Sequence, residues 1–146
     1  MPRQVDPDGF GFLVADLARL IRADIDRRIE AAGIGVTPGE ARVLVYIARY
    51  GKARQKVLAE RIGLEAMTLS CYLDRLERQG LVQRSPDPSD RRAKLAELTP
   101  EAELVLDEIV RIGHEVRQLA RGDLSEEEWL RLHAQLKAIR QHFSGE

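Results

Sequence analysis

Glu65-Ala-Met-Thr-Leu-Ser-Cys-Tyr-Leu-Asp-Arg-Leu-Glu-Arg-Gln-Gly-Leu-Val-Gln-Arg84 decides how this chain is read, together with the Ser85-Pro-Asp-Pro-Ser-Asp-Arg-Arg-Ala-Lys94 and Leu-Ala-Glu-Leu-Thr99 that follow. Leu69, Leu73 and Leu76 recur at spacings of four and three, which puts them on one face of a helix. At about 100° per residue, Met67, Cys71, Arg75 and Arg78 fall on or near the opposite face, with Thr68 and Ser70 at its flanks. A solvated face usually carries Glu and Lys; this one offers hydroxyls, a thiol, a thioether and two arginines. Such groups can meet base edges and phosphates. Gly80 stops the helix, and Leu81-Val-Gln-Arg84 and Lys94–Leu98 read as two short strands. Two prolines and two aspartates between them favour turns and oppose strand extension, so Arg91 and Arg92 are expected at a hairpin tip.

Upstream, Arg54 to Ile62 reads as a short helix with Val57, Leu58 and Ile62 inward, ended by Gly63. Two short helices joined by a glycine-containing turn are the pattern of a helix-turn-helix. Before it, Thr37-Pro-Gly-Glu40 is a helix start, with Thr37 as cap, Pro38 at the first position and Glu40 closing a capping box. That helix is expected to turn Val43, Leu44, Ile47 and Ala48 inward and stop near Gly51.

Three longer helices flank this centre. From Phe10, the positions Leu13, Leu17, Leu20, Ile21, Ile25 and Ile29 form a stripe that Gly33 and Gly35 end. Thr99-Pro100 starts another helix, striped by Ala102, Val105, Leu106, Ile109, Ile112 and Val116. Ser125, with Glu128 closing its capping box, starts a last one striped by Trp129, Leu132, His133, Leu136, Ile139 and Phe143. Little sheet remains for such wide apolar faces to cover, so a shared homodimer core is expected.

Composition sets the bounds. The chain has 146 residues, 44% hydrophobic and 32% charged, enough for one domain with a real core. One cysteine excludes an internal disulfide and fits a reducing compartment. The start lacks the apolar run of a signal peptide and no stretch is long enough to span a bilayer, so a cytoplasmic protein without membrane contact is expected. The net charge is −1, yet residues 42–94 carry 12 Lys/Arg against 6 Asp/Glu. A basic centre between acidic flanks suits a polyanion partner, and Arg54 and Lys56 join the candidate contacts to it. His114, His133 and His142 lack metal-ligand spacing, and no nucleophile constellation or phosphate loop is present. Neither a metal, a cofactor nor an enzyme is expected; His133 reads as a packed interface histidine.

Leu73–Arg84, Asp87-Pro-Ser-Asp-Arg-Arg-Ala-Lys94 and Leu98-Thr99 resemble the MarR family of winged-helix transcription regulators, and Ser89–Lys94 is especially similar to its SlyA branch. The resemblance covers residues from about 10 to 143. It implies a mainly α, winged helix-turn-helix (α+β) fold: one domain, 10–143, with a DNA-binding lobe at 36–99 and dimerisation helices at 10–35 and 100–143. It also implies a homodimer on double-stranded, pseudo-palindromic operator DNA. Many members are repressors released by a small aromatic or phenolic ligand. Arg92 matches the arginine that enters the minor groove, Asp90 the aspartate that braces the wing by pairing with an arginine, and Arg91 their basic companion. Thr68 and Ser70 match positions facing the major groove; Met67, Cys71, Arg75, Arg78, Ser89 and Lys94 complete the expected DNA contacts. Relatives often carry arginine where Ser89 and Cys71 stand, so a different operator preference is expected. The alternatives are a protein-interaction module on the same fold and a redox-responsive regulator acting through Cys71.

Overall fold

The computed structural model describes residues 1–145, which form six helices and a three-stranded antiparallel sheet. In order these are α1 (Phe10–Ala32), α2 (Pro38–Tyr50), β1 (Ala53–Arg54), α3 (Gln55–Ile62), α4 (Ala66–Arg78), β2 (Val82–Asp87), β3 (Asp90–Leu98), α5 (Ala102–Arg121) and α6 (Glu126–Ser144). This is the mainly helical winged-helix arrangement expected. The chain divides into two compact units, Met1–Gly113 and His114–Glu146.

In the first unit, the capping box and glycine stops act where the sequence places them. Thr37 Oγ1 accepts from the Glu40 N–H at 3.2 Å, and Glu40 Oε2 accepts from the Thr37 N–H at 3.0 Å. Gly33 ends α1 in the left-handed region at φ 59°, where a side chain would be strained. Leu44 and Ile47 of α2, Leu58 of α3, and Leu69, Leu73 and Leu76 of α4 form the centre of the core, joined by Val82 and Ala96 of the sheet. Ala48, expected inward, is exposed, while Ala41 is buried. Periodicity gives the direction of a helix face, not how far along the helix its neighbours cover it. In β3 the fully buried residue is Ala96, and Leu95 and Leu98 are only partly buried.

The sheet departs from expectation in two places. Arg54, expected to open a helix, pairs with Leu95 in β1 and is the N-cap of α3. A two-residue strand is too short to show any alternation in sequence. The segment expected as a loop is instead strand almost to its end: β2 runs to Asp87, β3 starts at Asp90, and only Pro88-Ser89 turn. Pro86 does not break β2, because β2 is an edge strand, where a missing N–H is tolerated.

In the second unit, Ser125 Oγ accepts from the Glu128 N–H at 3.1 Å and closes the expected capping box. Arg117 lies over the Trp129 ring, 5.9 Å from its centroid. No residue of α6 is buried; Leu130, Leu132, Leu136 and Phe143 are exposed. His133, expected to be packed, is exposed in the single chain.

Candidate nucleic-acid interface

The buried Leu69, Leu73 and Leu76 fix how α4 presents itself, leaving Met67 80% exposed and Thr68, Cys71, Arg75 and Arg78 open to solvent. Ser70 is partly covered. Glu65, the N-cap of α4, makes no side-chain cap hydrogen bond. The first N–H groups of α4 are therefore left to outside acceptors, at the positive end of the helix dipole. That suits a phosphate.

The wing arginines reach solvent by an irregularity in the ladder. Pro86 pairs with Lys94 and Asp87 with Asp90, so Arg91, Arg92 and Ala93 have no opposite residues on β2. Extra residues in one strand bend it and turn their side chains outward. Arg91 and Arg92 are both exposed. Beneath them, Arg54, Lys56, Ser70, Arg84, Arg92 and Lys94 line a concavity of about 590 Å³ that opens between α3, α4 and the sheet.

The brace of this wing is Asp87. Its Oδ2 accepts from Arg54 Nε at 2.5 Å, and its Oδ1 accepts from the Ser89 N–H at 2.9 Å and Ser89 Oγ at 2.8 Å. The Ser89 backbone and hydroxyl bonds, then Arg54, hold the Asp87 carboxyl below the usual aspartate range. Asp87 is 7% exposed.

A MarR family model matches residues 36–94. The crystal structure of transcriptional regulator PA3341 is 34% identical and superposes with a TM-score of 0.76, over 94% of this chain and 100% of that one. The chain belongs to the MarR family. Members of this family are winged-helix transcription regulators. Wild-type MarR from E. coli without ligand has a TM-score of 0.78 at 21% identity, covering 94% of this chain and 98% of its own. BpsR from Bordetella bronchiseptica has 0.72 at 21%, covering 94% and 97%. Both agree in fold.

Within this MarR chain, the expected pairing of Asp90 with an arginine side chain is corrected. Asp90 Oδ1 accepts from the Arg92 N–H at 3.1 Å, a turn contact, while the arginine is held by Asp87. The reason is the two-residue turn: it folds Ser89 back onto Asp87 and leaves Asp90 on the open side of the bulge. Arg54, expected as a DNA contact, has its Nε on Asp87 and its Nη2 3.2 Å from Ser89 Oγ, although its side chain stays 44% exposed. Arg75 lies 3.6 Å from the buried Glu40.

Arg84 was read only as a strand residue. Its side chain, 15% exposed, reaches Asp74 and Glu77 of α4 through the guanidinium, and its backbone N–H donates to Glu77 Oε2 at 3.0 Å. It ties the wing to the helix. The available signal was the i,i+3 pair Asp74 and Glu77, which puts two carboxylates on one face of α4 beside the coming strand.

Among the described residues, no group of three His, Cys, Asp or Glu could hold a metal ion, and no helix is long and apolar enough to cross a membrane.

Proposed function

We propose that this MarR-family chain is a homodimeric, sequence-specific repressor that binds a pseudo-palindromic operator and is released by a small aromatic acid or phenol. The observation that carries the DNA-binding part is that one side of the first unit combines the open face of α4, an uncapped helix N-terminus and a bulged basic wing. In this reading Met67, Thr68, Ser70 and Cys71 face the major groove, while Arg92 enters the minor groove beside Arg91. Lys56, Arg78 and Lys94 contact phosphates, and Arg54, Ser89 and Asp90 shape the wing around them. Residues 36–99 act as the reading lobe, and 10–35 with 100–143 join two copies. The similarity of Ser89–Lys94 to the SlyA branch supports placing the chain there.

Dimerisation is supported by the apolar surface left open on one chain. Phe10, Phe12, Leu13, Leu17 and Leu20 of α1 are each close to half exposed or more, as are Leu136 and Phe143 of α6. An apolar surface of that extent ordinarily marks a partner. Ligand response is supported by a cleft of about 410 Å³ lined by Ile21, Ile25, Ile29, Ala41, Val45 and Tyr46, with Arg42 and Asp26 paired at 3.1 Å in its wall. A mostly apolar cleft with two arginines, Arg22 and Arg42, in its lining suits an aromatic carboxylate. In BpsR, DNA binding is regulated by such a compound, 6-hydroxynicotinic acid.

The test is fluorescence anisotropy on DNA from upstream of the chain's own coding sequence against scrambled DNA, from 50 to 200 mM salt. If six or more phosphates are neutralised, log affinity should fall with log salt at a slope of about −5 or steeper. Salt-insensitive binding, or none, overturns the reading. Aromatic acids that raise the melting temperature and weaken the complex support the ligand part; a screen without effect removes it.

A further inference from the structure

The segment Gly35–Glu40, which leads into α2, meets α4 and its C-cap Gln79 at three points along one stripe. Gln79 Nε2 donates to the Gly35 carbonyl at 2.6 Å, and Arg75 Nη1 lies 3.6 Å from Glu40 Oε1. Gly39 stands so close to Tyr72 that a Cβ there would lie 2.5 Å from Tyr72 Oη and 2.6 Å from its ring. A side chain at Gly39 would force the Tyr72 ring to move. Tyr72, Arg75 and Gln79 follow one another at helical spacing, so these contacts grip a single side of the helix.

Glu40 is 4% exposed, an unusual place for a carboxylate. Its oxygens do separate work. Oε2 caps α2 through the Thr37 N–H, and Oε1 faces Arg75. The cap needs only an acceptor, which a glutamine also supplies. The charge is needed for Arg75.

We infer that Glu40 is a positioning residue for DNA reading: through Arg75, and with Gly39 under Tyr72, it fixes the rotation of α4 about its own axis. This rests on α4 being the reading helix. On a helix with side chains reaching about 5–6 Å from the axis, a rotation of about 20° moves their tips by about 2 Å. That is enough to break a hydrogen bond to a base edge. The Arg75 side chain stays 55% exposed, and its contact with Glu40 draws the guanidinium toward α2 and away from phosphates.

The experiment compares wild type, Glu40→Gln, Arg75→Ala and Gly39→Ala by anisotropy on upstream and scrambled DNA, with thermal unfolding alongside. Glu40→Gln should melt near wild type, because the cap survives. Its ratio of specific to non-specific affinity should fall about tenfold, as one mismatched base pair can cause. Its salt slope on scrambled DNA should steepen by about 0.9, from the released arginine. Arg75→Ala should lose the same selectivity without the steeper slope. Gly39→Ala reaches the seam through Tyr72 without altering charge and should also lose selectivity, which keeps the test open if Glu40→Gln folds poorly. Selectivity equal to wild type in all three folded variants overturns the positioning role alone. So does an Arg75→Ala slope shallower by about 0.9 on every DNA, which would make Arg75 a plain phosphate ligand. A wild-type chain that does not prefer its upstream DNA overturns the DNA reading and this inference with it.

Discussion

Replacing Arg84 by Met keeps the methylene packing and removes the bridge between wing and helix. Its partners Asp74 and Glu77 are 47% and 42% exposed, so water screens each pair and neither exceeds about 1 kcal/mol. The Arg84 side chain is 15% exposed, and its bonds are charge-assisted, which places the whole bridge at about 1–2 kcal/mol. In a chain of 146 residues that corresponds to a melting temperature lower by roughly 3–8 °C. The pH dependence has a definite sign. Hydrogen bonding and charge from Arg84 hold the Glu77 carboxyl below the usual glutamate range, and the same bonds raise Arg84. A depressed carboxylate stabilises the fold above its unfolded pKa and loses that contribution as pH falls through its folded value. Arg84 stays charged throughout. The deficit of Arg84→Met, followed by circular dichroism melting, should therefore be full at pH 7 and shrink below about pH 4. A deficit that is absent at pH 7, or constant down to pH 3, would refute this account of the bridge.

Other perturbations have equally definite outcomes. Thr37→Ala removes the cap of α2 and should cost about 1 kcal/mol in urea unfolding. Leu73→Ala, at a position with no exposed surface, should cost about 2–5 kcal/mol and lower soluble yield. Arg92→Ala should leave the melting temperature unchanged, weaken operator binding, and reduce sequence preference in the footprint where the wing lies. Asp87→Asn should weaken DNA binding with little change in overall melting. Because the Asp87 carboxyl is held low, wild-type wing order, read by amide exchange, should be complete above the usual aspartate range and decline only as pH falls below it.

The helices were legible because their signals are local: a capping box at the start of α2 and another at α6, glycine stops, and leucines at spacings of three and four. The face of α4 followed from Leu69, Leu73 and Leu76 alone. The wing was read less well, for a physical reason. Prolines and aspartates near one another usually mean a turn, but an edge strand does not need every N–H, so Pro86 fits a ladder that the sequence seemed to forbid. The brace was misread because Asp87 and Asp90 carry the same local signal. Which of them meets Arg54 depends on a pairing 33 residues away in sequence. The role of Glu40 was half legible: its cap is local, while its contact with Arg75 depends on tertiary packing.

The position of Pro86 has a wider consequence. The sheet has two open margins, β1 with only two residues and β2 with a proline next to its last residue and a register shift between the two. Another extended chain seeking backbone partners finds too short a row on one side and a missing donor and a kink on the other. On the function proposed above, the projecting ribbon has to remain available to DNA while surrounded by unfolded and nascent chains. Its margins make it a poor template for them, which favours an arm that stays single.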